Sequence, residues 1–415
     1  MSQRAYTANG LCRVVVTGMG LVSCIGNTLD GVSARLRAGH SGVSRVEAWR
    51  ERGFASRVAG APSVADERPF ARKLERFMGD TARFACHAVR SALDDAGLDP
   101  AALRSPLAGA VIGSGVGTMS AYDAAMVIAN ARGVDRVPPY IVPQAMGSTT
   151  SANVAHVFGL QGATYSPSSA CTTSALAIGQ AMQLIQTGRQ QIVLAGGSEA
   201  LHDNMTLMFD AMGALSRRFN DAPERASRPY DVARDGFVMA SGAGVLLLES
   251  LDHAVARGAR IQAELIGFGH CTDGADMVAP RAPGIARAMR EALGEAKVRP
   301  DYINTHAPST PRGDLEELLA LAEVFGDEVP PFSSTKGLTG HPLGACGAHE
   351  AIYTLLMMRG GYIAGTNGIE TLDPAVAHLP LVRESRDACI DAAMSVSFGF
   401  GGSCASLVFR AWKGA

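Results

Sequence analysis

The stretch YSPSSACTTSALAIGQAMQLIQTG, residues 165–188, places small and hydroxylated residues before a helical pattern. Apolar residues recur at helical spacing after Cys171: Ala175, Ile178, Met182 and Ile185. Gly188 is placed to end this helix, so we predict a tight turn that delivers Cys171 at a helix N-terminus. Unpaired backbone N–H groups and the helix dipole favour a thiolate there and can bind an oxyanion. The stretch alone leaves a second interpretation open, in which Cys171 is a small buried core residue.

A second stretch, FSSTKGLTGHPLGACGAHEAIYTLLMMRGG at residues 332–361, repeats this order of features. Each stretch has an aromatic residue, a Ser pair, a turn, a small-residue helix and a closing glycine. Strand patterns alternate with helix patterns along the chain, which favours an α/β fold with mixed sheets covered by helices. We expect a duplicated unit whose two turns meet across a pseudo-twofold axis and form one site.

Composition limits the possible functions. The chain has 415 residues, of which 47% are hydrophobic, and a net charge of −2. This balance is typical of a well-cored globular protein, whereas nucleic-acid-binding proteins are usually strongly basic. No apolar run approaches the length of a membrane span, and residues 1–13 lack the apolar core of a signal peptide. We therefore expect a cytoplasmic protein with no membrane span and no nucleic-acid partner.

The eight cysteines predict neither a disulfide framework nor a zinc site. None forms a CxxC pair, and the histidines have no zinc-type spacing relative to them. A chain of this size without an export signal rarely depends on disulfides. We expect mostly buried thiols and no metal, with one or two cysteines that carry chemistry.

The remaining elements follow from apolar periodicity and from residues that begin or end helices. Five predictions bear on the fold: a strand at 13–17 followed by a glycine turn at 18–20, a helix at 30–38 with Asp30 as its cap, one long helix at 71–97, an irregular segment at 200–235, and a helix at 314–325 with Asp314 as its cap.

A thiolate nucleophile needs a group that lowers its pKa and groups that stabilise the charge formed later. His306 in INTHAPSTP and His341 in GLTGHPLG lie among glycine, serine and threonine residues, where a substrate can approach closely. Lys336 lies in the same turn as His341. A buried lysine needs a partner, and Glu350 is suited to this. These four residues are the candidate partners of Cys171.

Longer blocks resemble those of β-ketoacyl-acyl carrier protein synthases, members of the thiolase superfamily, and the type I elongating branch in particular. Several blocks in the family order are far more specific than one short motif. They run from residue 14 to residue 410: VVVTGMGLVSCIGN, RKLERFM, SSACTTSALAIG, FDAMGALS, YDVARDGFV, DGADMVAP, INTHAPSTP, STKGLTGHPLGACGAHEAI and SFGFGGSCASLVF.

The resemblance implies a thiolase-like α/β fold of two duplicated halves with mixed sheets, in an α/β/α/β/α arrangement. The halves are residues 11–258, with the nucleophile, and residues 259–412, with the other catalytic groups. The expected partners are acyl- and malonyl-loaded acyl carrier protein and a second subunit, in a homodimer or a heterodimer with a related chain. No cofactor is implied.

The resemblance also implies a reaction, the decarboxylative condensation that extends acyl chains in fatty acid biosynthesis. Cys171 takes the acyl chain as a thioester. His306 and His341 help to decarboxylate malonyl-acyl carrier protein and stabilise the enolate oxygen, while Lys336 paired with Glu350 maintains the electrostatics of the site. The carbanion then attacks the thioester on Cys171.

Binding roles follow from the same resemblance. The backbone N–H groups of Cys171 and Phe400 are the expected oxyanion hole. Each phenylalanine also has an ordinary core interpretation. The expected substrate-binding residues are Phe237, Pro308, Thr310, Phe398, Phe400 and Ser403.

The block RKLERFM carries a basic helix face. Arg72, Lys73 and Arg76 are expected to steer the acidic carrier protein to the entrance, with Glu75 weakening the field slightly. A solvated helix face without a partner is the alternative.

Two positions depart from the family pattern. Ala307-Pro308 replaces Gly-Thr after the first histidine, and Ser403-Cys404 replaces Thr-Asn after the glycine turn. Pro308 lacks both a hydroxyl and a backbone donor toward the pantetheine arm, and Thr310 stays as the second contact. The changes leave open a ketosynthase of a specialised type II polyketide or polyene pathway. An inactive chain-length-factor-like subunit and a CoA-dependent thiolase, with Cys404 as its second cysteine, are further alternatives.

Overall fold

The computed structural model of the chain describes residues 5–63 and 69–414. Its strands are β1 (Val14–Val22), β2 (Ser44–Arg45), β3 (Val58–Gly60), β4 (Ala108–Gly113), β5 (Thr164–Tyr165), β6 (Ile192–Glu199), β7 (Met239–Ala240), β8 (Gly242–Ser250), β9 (Ala263–Thr272), β10 (Tyr302–Asn304), β11 (Phe332–Ser333), β12 (Tyr362–Ile363), β13 (Arg386–Asp387), β14 (Ala392–Gly399) and β15 (Ser403–Ala411). Its helices are α1 (Leu29–Ala38), α2 (Glu47–Glu51), α3 (Arg72–Glu75), α4 (Asp80–Ala96), α5 (Met119–Arg132), α6 (Ile141–Ala145), α7 (Thr149–Phe158), α8 (Thr173–Gln186), α9 (Asp203–Met212), α10 (Leu251–Ala256), α11 (Ala282–Ala296), α12 (Gly313–Phe325), α13 (Lys336–Thr339) and α14 (Cys346–Gly360).

A ten-stranded sheet dominates the fold, in the order β11-β10-β14-β15-β9-β1-β8-β6-β4-β5. The order is symmetric about the β9–β1 junction, because on each side two antiparallel pairings are followed by two parallel ones. At the junction, residues 14–16 of β1 pair with residues 263–265 of β9. The expected duplication with mixed pairing is confirmed, and the two halves are joined in one continuous sheet.

Helices cover this sheet in layers. Alternate residues of β6 face opposite sides. Val193 and Ala195 pack in the central core with α8 and α14, and Ile192 and Leu194 pack outward against α4 and α7. In the second half, α11 and α12 form the outer core. The expected α/β/α/β/α arrangement is therefore confirmed, with α8 and α14 as its central layer.

Two glycines explain why the predicted turn at 18–20 is wrong. Gly18 and Gly20 lie within β1, and a Cβ atom at either would overlap a backbone carbonyl oxygen of α4, at Ala92 and Ala88 respectively. Here glycine allows a helix to approach a strand closely rather than a turn to form. The second half repeats this packing between β9 and α11 (Gly267 on Ala292, Gly269 on Ala288).

Two other element predictions are wrong. The helix predicted at 71–97 is divided into α3 and α4, because the chain turns at Gly79, where a Cβ atom would overlap Thr118. The segment predicted as irregular contains α9. Its exposed apolar residues obscure the helical periodicity: Leu207, Met208 and Met212.

Both predicted caps are also wrong. Thr28 caps α1, since its hydroxyl accepts the backbone N–H of Gly31 at 3.3 Å. Asp314 lies within the first turn of α12, where its carboxylate accepts N–H groups from the preceding loop. Asp30 instead lies in the first turn of α1.

Among the described residues, no helix combines the length and the apolar character that crossing a membrane requires. Residues 1–4 of the N-terminal segment lie outside the described ranges. The division of the chain between residues 258 and 259 stays a prediction.

Candidate active site

Cys171 lies in a 3-10 turn, Ala170–Thr172, that leads directly into α8. The predicted position at a helix N-terminus is therefore confirmed. Ala170 has a φ of +51°, in the left-handed region, so the backbone bends sharply just before the cysteine. Gly399 at the end of β14 approaches closely, since a Cβ atom there would lie 2.8 Å from the backbone nitrogen of Cys171. The cysteine is thus held where strands of the second half end.

The second half brings two imidazoles to this cysteine. His341 follows α13, and its Nε2 atom lies 3.0 Å from the Sγ atom of Cys171. His306 follows β10, and its ring centre lies 5.1 Å from that of His341, with the ring planes perpendicular. Three groups predicted from separate motifs therefore meet in one place.

Lys336 contacts both the backbone and the ring of His306. It is 1% exposed, donates to the carbonyl oxygen of His306 at 2.7 Å and lies 3.2 Å from the Nδ1 atom of that residue. Glu350 on α14 forms an ion pair with the ammonium, as predicted from the sequence. An ammonium has donors only, so Nδ1 of His306 is the acceptor and the ring proton lies on Nε2. The lysine thereby orients His306 as a neutral donor.

Burial sets the charge states of these groups. It raises the pKa of the Cys171 thiol to about 12, and the positive charge of Lys336 opposes this only in part. Burial, together with the charge of Lys336, lowers the pKa of His306 and of His341 well below the ordinary value. Burial therefore favours a neutral thiol and two neutral imidazoles, and it acts against the preference of the helix terminus for a thiolate.

Two buried carboxylates on α12 shape the loop that carries His306. Glu317 accepts the backbone N–H groups of His306 and Ala307, each at 2.8 Å. Asp314 accepts two more at 3.1 Å each, from Ser309 and Thr310. Burial raises the pKa of both carboxyl groups. Glu317 was not predicted, and its only signal was an acidic residue on the buried side of a predicted helix.

Glu199 at the end of β6 was also not predicted. Its buried carboxylate accepts the Ser114 hydroxyl at 2.7 Å and the backbone N–H groups of Gly115, Val116 and Gly344 at 2.8, 3.3 and 3.0 Å. The first three donors follow β4, whereas the fourth lies in the turn before α14. Glu199 therefore joins loops of both halves beside Cys171. The acidic end of an otherwise apolar strand was the available signal.

A largely apolar cavity of about 520 Å³ contains Cys171 and both histidines in its lining. Ser403 pairs its hydroxyl with that of Thr172 at 2.7 Å, next to the nucleophile. Phe209 of α9 also lines the cavity and was not predicted, because its segment was predicted to be irregular. Five of the six expected substrate-binding residues line the same cavity: Phe237, Pro308, Thr310, Phe398 and Phe400.

Comparison with known proteins identifies the family. The family model described as "Beta-ketoacyl synthase, N-terminal domain" matches residues 12–254, and that described as "Beta-ketoacyl synthase, C-terminal domain" matches residues 262–370. The chain belongs to the β-ketoacyl synthase family. Curated relatives of this synthase include 3-oxoacyl-[acyl-carrier-protein] synthase 1 of Haemophilus influenzae, 47% identical over 97% of this chain and 100% of the relative. The protein of the same name from Escherichia coli is 47% identical over 97% of this chain and 99% of the relative.

Solved structures agree with this assignment. A β-ketoacyl synthase from Burkholderia phymatum superposes on this synthase with a TM-score of 0.91 at 39% identity, covering 97% of this chain and 100% of that one. A ketosynthase solved with its type II polyketide acyl carrier protein and bound to a hexaketide has a TM-score of 0.89 at 32% identity, covering 96% and 99%.

The predicted docking residues of this synthase lie together on the surface. Arg72, Lys73 and Arg76 are exposed at α3. The guanidinium of Arg76 lies 4.9 Å from the ring centre of Tyr140. Glu75 is only 8% exposed, so the surface of the patch is formed by the three cations. The expected weakening of the field by Glu75 stays a prediction. The three cations form an exposed basic patch.

Within residues 5–63 and 69–414, two groups of side chains have the spacing of metal ligands. One is Cys171 with His306 and His341, and the other is His306 with Cys346 and Glu350. Both groups adjoin the buried ammonium of Lys336, whose positive charge opposes the binding of a metal cation. The absence of a metal stays a prediction.

Proposed function

We propose that this β-ketoacyl synthase catalyses the decarboxylative Claisen condensation of an acyl thioester with malonyl-acyl carrier protein, and so elongates chains in fatty acid biosynthesis. The observation that carries the proposal is the contact of the Cys171 thiol with His341, beside His306, in an apolar cavity. This arrangement supplies a nucleophile, a proton acceptor and donors for an enolate oxygen.

In the first half-reaction the sulfur of Cys171 attacks the carbonyl carbon of the acyl thioester. His341 accepts the thiol proton at Nε2 as the bond forms, which offsets the raised pKa of the Cys171 thiol. The N–H groups of Cys171 and Phe400 stabilise the tetrahedral oxyanion. The carrier thiolate then leaves with the proton from His341, and the acyl chain remains on Cys171.

In the second half-reaction the malonyl thioester oxygen accepts the Nε2–H of His306 while the bond to the carboxylate breaks and CO₂ leaves. Once the acyl chain is bound to Cys171, the sulfur has no proton to donate. His341 then carries a proton at Nε2 and is the second hydrogen-bond donor to the malonyl thioester oxygen. The enolate carbon attacks the thioester on Cys171. The C–S bond breaks, the cysteine takes one proton from solvent, and a 3-oxoacyl thioester leaves.

The same proposal names the partners. Acyl carrier protein is the first partner, which the names of the relatives support. Its docking site in this proposal is the exposed basic patch of Arg72, Lys73 and Arg76. The synthase works in the cytoplasm as a homodimer or as a heterodimer with a related chain. Tyr165 on the edge strand β5 is 39% exposed, and an open strand edge can pair with a second subunit.

A ketosynthase of a type II polyketide or polyene pathway is the second candidate. Pro308 in the cavity wall favours it, because proline offers neither a hydroxyl nor an N–H to a pantetheine arm. The 47% identity to proteins named 3-oxoacyl-[acyl-carrier-protein] synthase 1, over nearly the whole chain, favours the first candidate. Cys171 opposes an inactive chain-length factor. Cys404 is buried beneath α11, which opposes a thiolase with two cysteines in the cavity.

Mass spectrometry of the purified protein, incubated with a panel of acyl carrier protein thioesters, tests the proposal. We expect saturated acyl masses on the peptide that contains Cys171, followed by 3-oxoacyl products when malonyl-acyl carrier protein is added. Loading of only polyene or poly-β-keto chains would favour the second candidate. Acylation of a different cysteine would contradict both.

A further inference from the structure

Two cysteines outside the active site lie opposite each other on neighbouring strands of the sheet. Cys271 of β9 and Cys404 of β15 are directly paired in the antiparallel register, and they are 8% and 1% exposed. Both sulfurs point to the same residue of α11. The Cys271 thiol donates to the carbonyl oxygen of Gly284 at 3.1 Å, and a Cβ atom at Gly284 would lie 3.4 Å from the sulfur of Cys404. The two thiols therefore converge beneath one helix.

Strand geometry makes this pair suitable for a disulfide. Directly opposed residues of antiparallel strands have Cα atoms about 4.5 or 5.5 Å apart, and disulfides span about 4.4–6.8 Å. Arg287 lies on the exposed side of α11, next to Cys271. A hydrogen bond with Cys404 and the guanidinium of Arg287 lower the pKa of the Cys271 thiol, which makes it the more reactive of the two.

Both cysteines lie at the base of segments that reach the cavity. Residues 278–280 follow β9 and line the cavity, as does Phe400 in the turn before β15. The two segments already contact each other, since Asp273 donates its N–H to Gly402 at 2.9 Å and Gly401 donates to Met277 at 2.8 Å. A covalent bond at their base would hold them in this arrangement.

We propose that Cys271 and Cys404 form a reversible disulfide when the protein meets a peroxide, and that this bond restrains the two cavity-lining segments. The thiolate of Cys271 attacks one oxygen of hydrogen peroxide, giving a sulfenic acid and hydroxide. The Cys404 sulfur then attacks the sulfenic sulfur, and the S–S bond forms as the hydroxyl group leaves as water. Two thiols are oxidised and one peroxide is reduced to two waters. A reducing dithiol reverses the step.

The consequence for catalysis rests on the proposed function. Both segments line the cavity that contains Cys171, so the disulfide slows acyl loading by restraining the cavity wall, without removing a catalytic group. The covalent step itself is independent of any activity and has its own readout.

Non-reducing peptide mapping after treatment with hydrogen peroxide tests the bond. Trypsin releases Cys271 in the peptide of residues 261–281, and releases Cys404 together with Cys389 in the peptide of residues 387–410. We expect these peptides to join, lighter by two hydrogen atoms, and to separate on treatment with dithiothreitol. Cys389 is exposed, so Cys389→Ser is the matched control that keeps the link. Cys404→Ser should lose it.

Three outcomes would overturn the proposal. These are separate peptides in the wild type at peroxide levels that modify Cys389, a link that survives in Cys404→Ser, or a link that disappears in Cys389→Ser. Acyl loading on Cys171 is measured in parallel. We expect a loss of loading rate in the oxidised wild type that dithiothreitol restores and that Cys404→Ser does not show. If the cross-linked protein loads acyl chains at an unchanged rate, the proposed restraint on the cavity is wrong. The disulfide and the proposed function would still stand.

Discussion

The Nε2 atom of His341 lies 3.0 Å from the Sγ atom of Cys171, although the two residues are 170 positions apart in the chain. Cys171 lies in a 3-10 turn that leads into α8, and His341 lies two residues before the matching 3-10 turn that leads into α14. Cys346, the first residue of α14, links the units by donating its thiol to the Cys171 carbonyl oxygen at 3.1 Å. The reactive contact is therefore a consequence of the duplicated fold.

Replacement of Cys171 should separate the two half-reactions. We expect Cys171→Ser to lose condensation by several orders of magnitude, because a hydroxyl is a far weaker nucleophile than the sulfur it replaces. Cys171→Ala and Cys171→Gln should still decarboxylate malonyl-acyl carrier protein, since His306 and His341 remain. Release of ¹⁴CO₂ and product mass spectrometry measure the two steps. Full elongation by Cys171→Ser would remove the cysteine from the nucleophile role.

The decarboxylation rate should be insensitive to acid over a range in which an ordinary histidine titrates. The pKa of His306 and of His341 is lowered from 6.5, so both rings stay neutral as the pH falls through that value. The pH–rate profile of the Cys171→Ala variant measures this without interference from the thiol. His306→Ala and His341→Ala should each lower the rate about 10²-fold. An acid limb with its midpoint at the ordinary histidine pKa would contradict this prediction.

The catalytic set could be predicted because each member lies in a short run whose residue types carry chemistry. Cys171 precedes a small-residue helix, and His306 and His341 lie in glycine- and serine-rich turns. Glu199 and Glu317 could not be predicted in the same way. Their role depends on backbone N–H groups of loops that only the folded sheet brings to them.

The fold shows a similar division. The duplication could be predicted because both halves repeat turn-and-helix patterns that are visible in the residues. The predictions of a turn at 18–20 and of an irregular segment at 200–235 were wrong for two physical reasons. Local patterns do not report that Gly18 packs against α4, nor that exposed apolar residues can belong to a helix such as α9.

Lys336 should be required for both stability and catalysis, and a double variant separates these effects. Lys336→Met leaves the buried carboxylate of Glu350 unpaired, which should cost about 3–5 kcal/mol in the free energy of unfolding. Combining it with Glu350→Gln should recover much of that loss in urea unfolding. Decarboxylation should remain low, since Nδ1 of His306 lacks the donor that fixes its tautomer. A wild-type rate in the stable double variant would contradict the orienting role.

The basic patch should matter only for substrates on the carrier protein. Replacing Arg72, Lys73 and Arg76 by alanine should raise the KM for acyl-acyl carrier protein about tenfold at low salt, because electrostatic steering is lost. The rate with an acyl-pantetheine should not change. An equal change in KM for both substrates would contradict docking at this patch. A matched control removes three exposed cations elsewhere: Arg290, Arg299 and Lys413.

Glu199 should act as a positioning residue that holds the loops around Cys171 in place. Each of its two oxygens accepts two donors, so Glu199→Gln turns an amide NH₂ toward groups that also donate, at a cost of about 1–3 kcal/mol in the free energy of unfolding. The loops that it joins include Gly115 in the cavity lining and Gly344, three residues after His341. We expect kcat for acyl transfer to fall while the KM for acyl-pantetheine changes little.

Glu264→Gln is the control for this effect, because Glu264 is another buried carboxylate of the sheet and pairs with Arg13 and Arg410 instead. The Glu264→Gln variant should unfold at a lower urea concentration, but its folded protein should load an acyl chain at an unchanged rate. Glu199→Asp should restore part of the rate if its shorter carboxylate still reaches Gly115. If the two glutamine variants lose stability and keep the same loading rate, Glu199 has only a structural role.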